Sequence, residues 1–182
     1  MKLYLVRHGQ TDWNAENKRQ GRTDVPLNET GRAQALALAE KTKNLEFDIC
    51  YSSPLSRALE TAKIVLDNKA KIITDDRLIE RDFGELEGTT SEDRLDPELK
   101  TDTWDISANT NYKGIEPVQE ILERTRKFLD DLIVKNPKDA KILIVAHAGS
   151  LKALYYNIVG YDETTNFHEF ELKNAEMKEL DI

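Results

Sequence analysis

Residues 3–14 read LYLVRHGQTDWN and residues 141–149 read KILIVAHAG. Each is a continuous apolar run followed within two residues by histidine and then by a glycine. Unbroken apolar runs bounded by charge mark strands covered on both faces, as in a parallel sheet. Weaker runs of the same kind are FDICY at 47–51 and KAKIIT at 69–74. Between them lie stretches of helical spacing. NETGRAQALALAEKTKNL offers Asn28 as N-cap, and SPLSRALETAKIVL offers Ser53 as cap with Pro54 at the first helical position. In the second, Leu55, Ala58, Leu59, Ala62 and Leu66 share a face. In EPVQEILERTRKFLDDLIVK, Val118, Ile121, Leu122, Thr125, Phe128, Leu129, Leu132 and Ile133 form the stripe, stopped by Asn136 and Pro137.

A strand followed by a helix thus recurs along the chain. The order predicts an α/β fold, a three-layer sandwich with a mainly parallel central sheet, helices on both faces and right-handed crossovers. FHEFELKN and AEMKELDI alternate like an edge hairpin with Lys173 and Asn174 near its turn, which makes His168 a strand residue at an edge. The stretch from Thr89 to Lys113 is polar and aperiodic, and is expected to be a short lid-like insertion over the sheet edge. With 182 residues, 39% of them hydrophobic, the chain suits a single domain over 1–182 carrying that insertion at about 89–113.

Composition narrows the function. Thirty-four acidic residues against 26 basic give a net charge of −8, which disfavours nucleic acid and anionic membranes as partners. The lone Cys50 has no partner for a disulfide or a zinc cluster, and reads as a small core residue. The start of the chain is too short of apolar residues for a signal peptide, and no stretch approaches a membrane span, so a cytoplasmic protein is expected. Composition sets no oligomeric state.

Ligands of open α/β sheets bind at the carboxyl ends of the strands, so the residues after each strand should converge. After the first come Arg7, His8 and Gly9; after the second, Ser52, Ser53 and Arg57; after the last long run, His147, Ala148 and Gly149. Arginine forks and helix N-termini there would make an anion site. A neutral imidazole adds a nucleophile that can carry a phosphoryl group covalently. An acid for the leaving oxygen can come from LIERDFGELEG, which holds Glu80, Asp82, Glu85 and Glu87. No cofactor and no metal are called for, because the carboxylates and histidines lack ligand spacing and the arginines already serve as cations.

These blocks resemble the histidine phosphatase superfamily, its phosphoglycerate-mutase-like branch, in family order from Lys2 to about Gly160. On that resemblance His8 is the nucleophile, with Arg7 and Asn14 in the phosphate pocket. QGRTDVPLNETGRAQA suggests Gln20 or Gly21 near the phosphate, SSPLSRALETA supplies Arg57, LIERDFGELEG makes Glu80 the proton donor, and VAHAGSLKAL makes His147 a phosphate ligand. Asn14 and Gln20 are also ordinary turn formers, and Trp13 and Trp104 can either flank a substrate or pack in core or lid. The block reads HAG where a second glycine commonly follows the histidine, which puts Ala148 beside the ligand.

The implied function is hydrolysis of a small-molecule phosphomonoester through a phosphohistidine. The alternatives are a cofactor-dependent phosphoglycerate mutase, typically longer in this region, and a non-catalytic phosphate-binding module. The joint presence of Arg7, His8, Arg57, Glu80 and His147 favours catalysis, and a short lid favours water as acceptor. Lysine in place of either arginine is expected to weaken catalysis and leave folding intact.

Overall fold

A computed structural model describes residues 1–90, 104 and 114–182. The apolar runs form strands β1 (Lys2–Arg7), β2 (Ile49–Ser52), β3 (Ile72–Thr74) and β4 (Lys141–Ala146), and the chain ends with β5 (Met177–Asp181). The helices are α1 (Asp12–Ala15), α2 (Glu29–Thr42), α3 (Ser56–Leu66), α4 (Val118–Lys135) and α5 (Ala148–Val159). The sheet order is β3-β2-β4-β1-β5, parallel throughout except for β5, which runs antiparallel to β1.

Why β1 and β4 are apolar without a break follows from their position. They are adjacent, with Arg7 opposite Ala146, and both of their faces are covered. Leu3, Leu5, Ile142 and Ile144 face one layer with α4 and α5 residues such as Phe128, Leu129, Leu151 and Leu154. Tyr4, Val6, Leu143 and Val145 face the other, with Leu38 of α2 and Ala58, Ala62 and Val65 of α3. Alternate residues of one strand thus serve two cores, which is the expected three-layer sandwich. The chain leaves β1 for the α2 face and leaves β4 for the α5 face, so a crevice opens between their carboxyl ends.

Asn28 caps α2 as expected, its Oδ1 accepting the Gly31 N–H at 2.9 Å. Two local expectations fail. The third helix begins at Ser56 after Leu55, not at Pro54 after Ser53, because Ser53 still belongs to the sheet: its N–H donates to the Val145 carbonyl at 3.0 Å. The edge hairpin does not form either. Only Met177–Asp181 is a strand, while Phe167–Glu169 is a 3-10 turn, so His168 is not an edge-strand residue. The aromatic residues there are spent on packing: Phe170 stacks on Tyr155 at 3.9 Å and Phe167 on Trp104 at 5.8 Å. The expected lid lies outside the described residues, apart from Thr89, Thr90 and Trp104. Among the described residues no helix is long and apolar enough to cross a membrane.

Candidate active site

Because β1 and β4 pair in register, the residues that follow them arrive side by side. The His8 N–H extends the ladder to the Ala146 carbonyl at 3.0 Å, and the rings of His8 and His147 lie 5.1 Å apart. Gly9 permits the close approach of α2, since a Cβ there would come within 2.4 Å of the Gly31 carbonyl oxygen. His8 is 3% exposed and opens onto a cavity of about 310 Å³. Arg7, Asn14, Gln20, Gly21, Arg57, Glu80 and Ala148 line the same cavity. His147 does not. Its ring is fully buried, held between Arg57 and Ser53.

The hydrogen bonds fix both tautomers. His8 Nδ1 lies 2.7 Å from the Gly9 carbonyl, which only accepts, so Nδ1 carries the proton and the lone pair is on Nε2. His147 Nδ1 faces Arg57 Nε at 3.2 Å, and arginine only donates. The proton of the neutral His147 ring is therefore on Nε2, directed at Ser53 Oγ 2.8 Å away. Burial first, then the positive charge of Arg57 and Arg7, hold His8 well below the ordinary imidazole range. For His147 burial is again the leading cause, followed by Arg57 and the neighbouring His8. Both rings are neutral in the folded protein at physiological pH.

Refusal of protons has a consequence for stability. Below about pH 6.5 the unfolded chain takes up protons that the native rings decline, so stability falls as pH falls, by about 1.4 kcal/mol per pH unit for each ring until the native values are reached. Above that window the two rings add no pH dependence. Urea midpoints of the wild type at about pH 7.5 and 5.5 should differ by more than those of a His8→Asn, His147→Asn double variant. Equal differences in the two proteins would contradict the burial of neutral rings.

The arginines are placed by different means. Arg57, in the first turn of α3, is 0% exposed and donates Nη1 to the Thr23 carbonyl and Nη2 to the Gly21 carbonyl, each at 2.8 Å. Gly21 has φ of +51°, the left-handed region that favours glycine, and a Cβ there would lie 1.9 Å from Glu87 Oε1 and displace that carboxylate. Arg7 donates Nη1 to the Leu172 carbonyl at 2.8 Å, and its buried Nε has no partner among the described residues. Burial lowers both guanidinium groups, with Glu80 acting in the opposite sense, and both stay charged.

Of the four candidate carboxylates only Glu80 reaches the cavity. Its Oε1 accepts the Arg81 and Ser150 N–H groups at 2.8 and 3.1 Å, and its Oε2 accepts the Gly149 N–H at 3.1 Å. It therefore sits on the N-terminus of α5, and Gly149 makes room, since a Cβ would stand 2.4 Å from Oε1. Glu87 instead ties two loops together by accepting the Arg22 and Thr23 N–H groups. Asp82 accepts the Gly84 N–H and faces Arg22, while Glu85 is exposed.

Asn14 spends its Oδ1 on the Thr11 N–H, in a capping box that starts α1, while also lining the cavity. Gln20 is 7% exposed, and its Oε1 has no partner among the described residues. Several cavity residues were not anticipated from the sequence: Lys18, Arg19, Phe83, Lys152, His168 and Glu171. Trp104 lines it too. Asn174 was also missed; its Nδ2 donates to the His8 carbonyl at 3.0 Å and to Asn14 Oδ1 at 3.2 Å. No sequence signal marks it, because it acts across 166 residues of chain.

A neutral histidine with a free Nε2 lone pair, two arginines and a carboxyl in one crevice of a parallel sheet define a phosphoryl-transfer site. The chain belongs to the histidine phosphatase superfamily (branch 1), whose family model matches residues 3–182. It is 37% identical over 179 residues to the Bacillus subtilis (strain 168) protein described as an uncharacterized phosphatase, PhoE, covering 96% of this chain and 88% of that protein. A 2,3-bisphosphoglycerate-dependent phosphoglycerate mutase of Mesorhizobium japonicum is 36% identical over 167 residues, covering 87% and 81%. The structure of a mycobacterial glucosyl-3-phosphoglycerate phosphatase complexed with VO3 superposes with a TM-score of 0.86 at 29% identity, over 99% of this chain and 92% of that one.

Proposed function

We propose that the protein is a cytoplasmic phosphomonoesterase that hydrolyses a small phosphorylated metabolite by way of a phosphohistidine at His8. The observation that carries this is the lone pair on His8 Nε2, held on a neutral ring at the floor of a cavity that Arg7 and Arg57 also line. In the first step Nε2 attacks phosphorus, the bond from phosphorus to the ester oxygen breaks, and Glu80 gives that oxygen a proton. The carboxylate left behind is received by the three N–H groups around it. In the second step water attacks phosphorus, the bond to Nε2 breaks, and Glu80 takes the proton that water loses.

Arg7 and Arg57 stabilise charge on the equatorial oxygens in both steps. Asn14, Gln20, Gly21 and Ala148 complete the wall around the phosphate. His147 fixes the Arg57 fork through Nδ1, and its Nε2–H reaches a phosphoryl oxygen once it leaves Ser53.

The role of Glu80 is tested by leaving-group dependence. A proton matters most to a basic alkoxide and least to a phenolate that departs unaided. Glu80→Gln should lower kcat on glycerol 3-phosphate by about a hundredfold and on para-nitrophenyl phosphate by less than about tenfold. A loss shared equally by both esters would mean that the carboxylate only holds the fold. The similarity to a mutase keeps a second reading in view, in which the phosphohistidine returns its phosphate to a bound glycerate. Release of inorganic phosphate in step with consumption of 3-phosphoglycerate supports hydrolysis; 2-phosphoglycerate formed without phosphate release supports the mutase.

A further inference from the structure

Glu80 belongs to no helix or strand. It lies in the link between the 3-10 turns Asp76–Leu78 and Gly84–Leu86. A guanidinium from the facing helix ties the first of these turns to the link. Arg124, in the second turn of α4, donates Nη1 to the Arg77 carbonyl at 2.6 Å and Nη2 to the Glu80 carbonyl at 3.2 Å. The same side chain grips Glu116 bidentately, Nε to Oε1 at 2.6 Å and Nη2 to Oε2 at 3.0 Å.

Glu116 continues the clamp on the far side of the acid. Its Oε2 accepts the Asp82 N–H at 3.1 Å, its own N–H donates to the Asp82 carbonyl at 2.9 Å, and its carbonyl accepts Arg81 Nε at 2.7 Å. Arg22 Nη2 stands 3.4 Å from Oε2. Glu116 is 6% exposed. Burial alone would push its carboxyl up, yet the Arg124 bonds, the Asp82 N–H and Arg22 outweigh that and hold it below the ordinary range. The pair is ionised and built to stay so.

A buried ion pair adds little net stability over apolar side chains of the same volume. What this one supplies is aim. Neither side chain lines the cavity, yet their bonds tie down the backbone at 77, 80 and 82, which carries the Glu80 carboxyl that lies against the first turn of α5. We infer that Arg124 and Glu116 are positioning residues for proton transfer by Glu80, setting the rate of ester cleavage without touching the substrate. The inference rests on the reading of Glu80 as the acid.

Arg124→Lys keeps a charge opposite Glu116 but cannot span two carbonyls and two carboxylate oxygens at once. It should lower kcat on glycerol 3-phosphate by about tenfold and on para-nitrophenyl phosphate by less than about threefold, with KM little changed. Glu116→Gln, isosteric and the milder exchange for the fold, should show the same preference for the alkyl ester. In a Glu80→Gln background neither exchange should cost anything further on glycerol 3-phosphate, because residues that act through one group are not additive. Equal losses on the two esters, or a loss that persists in the Glu80→Gln background, overturns the inference and leaves Glu80 as the acid. A Glu80→Gln enzyme that treats both esters alike overturns the reading of Glu80, and the inference with it.

Discussion

His8→Ala is expected to lower turnover by at least about a thousandfold, the scale on which removing a nucleophile stops a covalent route. The acid-labile, base-stable label that the wild type acquires during turnover should vanish with it. The argument is geometric. Nδ1 is committed to the Gly9 carbonyl, so the ring presents one lone pair, at Nε2. Burial and two guanidiniums keep it unprotonated, and therefore nucleophilic, well into the acid range. His147 cannot substitute, since its Nδ1 accepts from Arg57 and its Nε2 carries the proton. Arg7 and Arg57 survive in the variant, so vanadate or inorganic phosphate should still bind, within about tenfold of the wild-type affinity. Rapid-quench labelling with circular dichroism as the folding control decides the point. Turnover retained in His8→Ala would sink the covalent mechanism, and a wild type that binds phosphate but never becomes labelled would favour the phosphate-binding module.

What the sequence shows of this site is what strands and their ends encode. Apolar runs without alternation identify β1 and β4 as doubly covered, and once they are neighbours the placement of His8 beside His147 follows from register. Motif residues at strand ends are therefore legible. Residues whose role is set from a distance are not. Ser53 reads as a helix cap because serine before proline caps helices, but the sheet claims its N–H and His147 faces its hydroxyl. The segment 167–174 alternates like a strand, yet stacking on Tyr155 and Trp104 and the bond from Arg7 to the Leu172 carbonyl turn it into a wall of the cavity. That is how His168 and Glu171 come to face the site. His147 is legible as a strand-end residue beside His8, but its bonds to Arg57 and Ser53 are not. Arg124 is a charge on a helix rich in charges, and nothing local distinguishes it.

Arg57→Lys should lower kcat/KM by about a hundredfold or more, and it should also destabilise the protein, contrary to what the sequence suggests. The side chain is fully buried and three of its contacts are internal: His147 Nδ1, the Thr23 carbonyl and the Gly21 carbonyl. Five N–H donors serve those acceptors and still leave one on each Nη for an anion. A lysine ammonium has three donors on one atom and cannot span the two carbonyls, the imidazole and a phosphate. A lysine can still pair with one of the three acceptors, and each of the two left unpaired costs about 1 to 3 kcal/mol, so a loss of about 2 to 6 kcal/mol in stability is expected. The loop at 20–23 would relax, and His147 would lose the bond that fixes its tautomer, so binding and chemistry decline together. Arg7→Lys is the control. Among the described residues its guanidinium makes one hydrogen bond, to Leu172, and its side chain is 17% exposed, so kcat/KM should fall by about tenfold while the unfolding temperature stays near that of the wild type. Steady-state kinetics and thermal unfolding of the two variants together separate the roles. If Arg57→Lys melts with the wild type, the carbonyls of Gly21 and Thr23 do not depend on it; if it also turns over normally, the phosphate is not gripped from the first turn of α3.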